Sequence, residues 1–124
     1  MIQRILRRFP HALRGLRGAL RVDFSFRTQW YGGLLITGII AALAWPLSST
    51  EALFLALGFA LILITELQNS SVEAALNHLH PERHTAVGYS KDLAAAAVLV
   101  AGFFYVVVVS TILGSRFLPT LLSY

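Results

Sequence analysis

Cysteine is absent from the chain, which excludes disulfides, thiolate metal sites and thiol nucleophiles. Charge is scarce: Asp, Glu, Lys and Arg make up 13% of the residues, against about 25% in a soluble domain. With 56% apolar residues and a mean hydropathy of +0.69, there is too little polar surface to cover a folded chain in water. At 124 residues the chain fits a single domain (1–124). A separate nucleotide-binding domain has no room, so any chemistry falls to the apolar segments themselves. Acidic groups are the scarcer sign, six against ten Lys/Arg for a net charge of +4. Seven of those ten basic residues precede residue 28. The asymmetry excludes an ordinary soluble enzyme and points to a membrane, with the basic end at an anionic lipid face.

Residues 1–27 read as an amphipathic helix lying in the membrane interface. Ile5, Phe9, Leu13, Leu16 and Leu20 recur every three or four residues, and Arg4, Arg7, Arg8, Arg14, Arg17 and Arg21 take the other faces. Pro10 is expected to kink this helix or to mark where its regular part begins. Its apolar face argues against a nucleic-acid arm. Its length and periodicity argue against a cleaved signal peptide. Three spans follow, at 30–47, 52–79 and 91–114, giving an all-α membrane protein. Trp30, Tyr31 and Trp45 bracket the first span as interface anchors. Ser49 and Thr50 are expected to cap the second, which Pro81 ends. Gly114-Ser115-Arg116 closes the third. The first connection has no Lys or Arg, whereas the second holds Arg83 and Lys91. The charge bias therefore predicts a multi-pass membrane protein with its N-terminus and second connection cytoplasmic.

The second span carries polar groups that hydrocarbon does not tolerate. Glu66, Asn69, Ser70, Glu73 and Asn77 fall at i, i+3, i+4, i+7 and i+11, so Glu66, Asn69, Glu73 and Asn77 share a narrow stripe. Glu66 lies ~21 Å along the helix from Ala52 at 1.5 Å per residue. An ionisable group at that depth costs at least ~2.5 kcal/mol and must face protein or water. Asn69 or Ser70 alone would read as interhelical glue; two carboxylates on one stripe read as function.

Phosphorylating a lipid hydroxyl requires charge neutralisation on phosphate, a proton acceptor and cations around the transferring group. Magnesium takes carboxylate oxygens together with substrate phosphates. Glu73, near the aqueous boundary, suits a metal, and Glu66, deeper and poorly hydrated, suits a general base. Lys91-Asp92 opens the third span at the same level. Lys91 can offset phosphate charge, and Asp92 suits a helix N-terminus. No Walker A loop or soluble-kinase signature occurs. His78, His80 and His84 read as solvated loop residues rather than a metal site.

The run Glu66-Leu67-Gln68-Asn69-Ser70-Ser71-Val72-Glu73, eighteen residues before Lys91-Asp92 and its alanine-rich span, resembles the prokaryotic diacylglycerol kinase family, which also includes undecaprenol kinases. The resemblance extends over Arg4, Gly15-Leu16-Arg17 and Asp23 before Phe26-Arg27. It implies a homotrimer of three-span subunits with shared sites. It further implies an ATP-dependent phosphotransferase using Mg²⁺, with a membrane lipid as substrate and no nucleic-acid partner. By this resemblance Glu66 is the catalytic base, and Asp23 and Glu73 are the metal ligands. Arg4, Asp23, Glu73, Glu82, Arg83, His84, Lys91 and Asp92 contact the nucleotide. Arg4, Arg17, Glu66, Asn69 and Ala95 contact the lipid.

The chain also departs from the family pattern. Asp23 and Asn77 stand where Glu and Asp are usual, Gln68 where an aliphatic residue is usual, Ala95 where a small hydroxyl residue is usual, and Gln29 where Glu is common. The expected reaction is transfer of the ATP γ-phosphoryl group to diacylglycerol, giving phosphatidic acid. The alternatives are undecaprenol phosphorylation, a non-catalytic membrane oligomer of the same fold, and a small ion-conducting oligomer.

Overall fold

The computed structural model describes the backbone of residues 2–82 and 84–122 and the side chains among them, except those at 2, 4, 5, 6 and 120. Four helices make up the fold, α1 Ile2–Val22, α2 Phe24–Leu43, α3 Ser49–Leu79 and α4 Thr85–Leu121, with no strand among the described residues.

The joints explain the element boundaries. The expected leader at 1–27 is shorter than read, because the chain turns at Asp23, which is extended (φ −92°, ψ 107°) and caps α2. The Asp23 carboxylate accepts from the Phe26 amide at 3.0 Å, satisfying a helix donor that has no backbone partner. The first apolar helix therefore starts at Phe24 rather than Trp30 and ends at Leu43, three residues before Pro46. Pro10 lies inside α1, which continues on both sides of it.

Ser48 caps α3, not Ser49 or Thr50 as expected. Its hydroxyl accepts from the Glu51 amide at 3.2 Å, and Glu51 accepts from the Ser48 amide at 2.8 Å, a reciprocal capping box. α3 ends at Leu79, just before Pro81. α4 is longer than the 91–114 expected: it begins at Thr85 under a His84 cap and runs past Gly114-Ser115-Arg116. Gly114 keeps a negative φ, and the Ser115 hydroxyl donates back to the Ile112 carbonyl, so nothing there breaks the helix.

α3 packs chiefly on α4 and more lightly on α2, while α1 touches α2. A buried cluster of Ile40, Ala44, Leu55, Val108 and Ile112 joins α2, α3 and α4 near the α2–α3 turn. Arg116 closes that end. Its guanidinium donates to the Ala44 and Pro46 carbonyls and pairs with Glu51 at 2.9 Å. Midway, the Thr37 and Tyr105 hydroxyls bond at 2.6 Å between α2 and α4, and Gly58 lets α3 approach the Tyr105 ring.

Outside these contacts the helices are apolar on open faces. Leu35, Leu53, Leu99 and Phe103 are among the large side chains left exposed. α3 and α4 are each long and apolar enough to cross a membrane. α2 spans ~30 Å at 1.5 Å per residue, but its first turns carry Arg27, Thr28 and Gln29.

A Cβ on Gly58 would stand 3.0 Å from the Tyr105 ring and 3.4 Å from its Cα. We expect Gly58→Leu to force α3 and α4 apart and destabilise the fold by about 1–3 kcal/mol, read as a lower midpoint of thermal unfolding in detergent.

Candidate active site

The polar stripe of α3 comes to face the α1–α2 joint. Glu66 is buried, 4% exposed, within an apolar stretch of the helix. Asn69 and Ser70 are half-buried, and Glu73 and Asn77 are exposed. The break at Asp23 turns the chain back onto this stripe. The result is an open cavity of ≈ 590 Å³ lined by Asp23, Ser25, Glu66, Asn69, Ser70, Glu73 and Asn77. Three carboxylates from two elements border one space.

Asp23 is held there by α3. The Ser70 hydroxyl donates to its Oδ2 while its Oδ1 takes the Phe26 amide. Burial alone would raise the Asp23 carboxyl. The hydrogen bonds from the Ser70 hydroxyl and the Phe26 and Ser25 amides together outweigh it and hold the carboxyl below its usual range. A carboxylate offers about four acceptor positions, so these three bonds leave capacity on Asp23, which also borders the cavity. Asn69 contributes a second feature: its Oδ1 is buried and has no hydrogen-bond partner. A buried acceptor left open is costly in an isolated chain and marks a place for a donor or cation. Among the described residues no three His, Asp or Glu side chains are grouped to hold a metal by themselves. Magnesium, however, needs only one or two carboxylates with substrate phosphates, and the oxygen-only donor set here fits that requirement.

A second groove of ≈ 390 Å³ lies beside the first. It is formed by the α3–α4 connection and lined by Asn77, His80, Pro81, Glu82, His84, Thr85, Val87, Gly88 and Lys91. Lys91 Nζ donates to Asn77 Oδ1 at 2.5 Å. His84 uses Nδ1 to accept the Ala86 amide. Asp92 is exposed and lines neither cavity, so the Lys91-Asp92 pair divides, with only Lys91 turned into the groove. It is His84, not Asp92, that caps α4.

Arg17 lines a separate groove along α1 with Arg14 and Arg21. Ala95 is exposed on α4 and borders neither cavity. Arg83 and the Arg4 side chain lie outside the described residues. Gln29 has a buried Oε1 without a partner and borders an apolar groove of ≈ 490 Å³ between α2, α3 and α4.

A model of the family described as prokaryotic diacylglycerol kinase matches residues 10–113. The chain belongs to the prokaryotic diacylglycerol kinase family. It is 32% identical to the diacylglycerol kinase of Pseudomonas aeruginosa over 103 residues, 81% of this chain and 80% of that one. It is 28% identical to the diacylglycerol kinase of Escherichia coli strain K12 over 114 residues, 92% of each chain. With the Haemophilus influenzae diacylglycerol kinase it shares 29% identity over 93 residues, 73% of this chain and 75% of that one.

Diacylglycerol kinases are lipid kinases, and in this member two polar residues gain structural parts that sequence reasoning left unassigned. Ser70 anchors Asp23, and Asn77 anchors Lys91. Their positions on the stripe with Glu66 were the available signal; the partners they reach were not visible from spacing.

A carboxyl held below its ordinary value stabilises the fold above that value, and the contribution is lost as pH falls through the folded one. We expect Ser70→Ala to cost about 1.5 kcal/mol at pH 7, the low end for a hydrogen bond to a charged group, because Asp23 is half-exposed. The deficit should shrink as pH falls below about 4, the ordinary Asp value, and on through the lower folded one. Thermal unfolding of both proteins across that range measures it.

Proposed function

We propose that this protein is an ATP-dependent kinase of a membrane lipid, transferring the γ-phosphoryl group to diacylglycerol to give phosphatidic acid. One observation carries the reading. Asp23, Glu66 and Glu73, with the unpartnered Asn69 oxygen, border a single cavity between the α1–α2 joint and the membrane-length helix α3. Membership in the diacylglycerol kinase family supplies the reaction class. The names of the relatives in Pseudomonas and Escherichia supply the lipid.

In this reading Asp23 and Glu73 hold a magnesium ion, which when bound offsets charge on the phosphate oxygens. Glu66, deepest in the cavity, accepts the proton of the lipid hydroxyl. Asn69 orients that hydroxyl or a phosphate oxygen. Lys91, with Glu82 and His84 around it, receives the nucleotide in the adjoining groove. By the family resemblance Arg4, Arg83 and Asp92 are further contacts of the nucleotide. Arg17 and the α1 arginines meet lipid head groups, and Ala95 lies on the lipid-facing side of α4. Because the cavity opens beside an amphipathic helix, lipid and ATP meet at the interface without a tunnel.

Three spans are proposed, α2 being the third, in the bacterial inner membrane with the N-terminus cytoplasmic, as the arginine-rich α1 favours. Three copies would cover the open apolar faces and complete the shared sites.

The test is phosphate transfer from labelled ATP by purified protein in mixed micelles, with diacylglycerol and undecaprenol offered in parallel. We expect magnesium-dependent product with diacylglycerol. Glu66→Gln should lower turnover by at least about 10²-fold, the scale of a lost general base, with little change in nucleotide affinity. Glu73→Gln and Asp23→Asn should abolish magnesium-dependent turnover while the assembly survives on size-exclusion chromatography. Product with undecaprenol alone would move the substrate; product with neither lipid would remove the kinase reading.

A further inference from the structure

The two cavities share one lining residue. Asn77 borders both the carboxylate cavity and the groove of the α3–α4 connection, and its Oδ1 accepts Lys91 Nζ at 2.5 Å, tying α4 to α3 at their boundary. Lys91 is half-buried, and among the described residues it takes part in no ion pair.

An ammonium head carries three donors on a flexible stem and shifts readily when nothing fixes it. The amide oxygen at 77 occupies one donor and does not cancel the charge. A carboxylate at 77 would also seat the head but would compete with any anion brought to it.

We propose that Asn77 is a positioning residue: its amide oxygen seats the Lys91 ammonium on the boundary between the two cavities, leaving its charge and two N–H groups for the polyphosphate of a nucleotide. This rests on the kinase reading above, which gives Lys91 to the nucleotide. It adds the element that holds Lys91 in register with the Asp23–Glu73 side. Asn77 touches neither reacting atom in this account and acts only through Lys91.

A mutant cycle in the micelle assay, with ATP varied at saturating lipid, tests it. We expect Asn77→Ala to raise KM for ATP by about five- to tenfold, the scale of a lost hydrogen bond to a charged group, with kcat changed less than threefold. Lys91→Met should raise KM at least as far. The double variant should be no worse than Lys91→Met alone, because residues acting as one unit do not add. Asn77→Asp, which keeps an acceptor, should fall between wild type and Asn77→Ala. Asn77→Leu gives the same comparison if the alanine variant does not assemble.

Additive losses, an unchanged KM in Asn77→Ala, or an Asn77→Asp as weak as Asn77→Ala would overturn the inference and leave the kinase reading standing. An active wild type with Lys91→Met unaltered would detach Lys91 from the nucleotide and the inference with it. A wild type inactive on every lipid would remove the kinase reading itself, a result distinct from all of these.

Discussion

A carboxylate in a helix flanked by leucine and isoleucine cannot face hydrocarbon, and Glu66 is such a group. Insertion of a charge at that depth costs at least ~2.5 kcal/mol, so the chain must supply a polar neighbourhood. It does so with few residues. The stripe Asn69, Ser70, Glu73, Asn77 extends the polar face toward one end of α3, and the joint at Asp23 folds back against it. The position of α1, the direction of α2 and the location of the open cavity all follow from the need to roof that face.

The joint and the roof are the same residue. Asp23 caps α2 through Oδ1 and is tied to α3 through Oδ2, so a helix-start signal doubles as an interhelical contact. Asp has a short side chain and reaches α3 only because the backbone comes close, which an N-cap sitting against Ser70 provides. Its depressed carboxyl remains charged at neutral pH.

Much of this was legible in the residues. The 3.6-residue period placed Glu66, Asn69, Glu73 and Asn77 on one face, and charge counting separated the basic leader from the apolar remainder. Pro46 and Pro81 marked the two connections. What was not legible depended on contacts distant in sequence. The resemblance singled out Asp23 as a ligand, but it still sat within a leader read as continuous, and nothing near it in the chain announces the helix break or Ser70, 47 residues on. Ser48, Ser49 and Thr50 are all competent caps, and the choice of Ser48 rests on Glu51 three residues later. The extension of α4 through Gly114 to Leu121 was hidden because glycine, serine and arginine together imitate a terminus. Here Arg116 is instead spent on the Ala44 and Pro46 carbonyls and on Glu51, across the bundle. The division of Lys91 from Asp92 has a simple origin: adjacent residues on a helix point about 100° apart, so only one of them can enter the groove.

The distribution of packing follows the same division of labour. Near the α2–α3 turn the helices hold together by a buried apolar cluster, a capping box and the Arg116 network. At the opposite end, where the Phe26 ring is buried beside the joint, they part around two open cavities bordered by polar contacts, Ser70 to Asp23 and Lys91 to Asn77. A bundle packed equally along its length would leave neither the cavity between the α1–α2 joint and α3 nor the groove between α3 and α4. One loosened equally throughout would not hold two carboxylates from α3 and a third from Asp23 around one space. Fixing one end with close packing and Arg116 lets the other be shaped by individual hydrogen bonds. That is the arrangement a site needs if a lipid must enter it from the side and a nucleotide from the water.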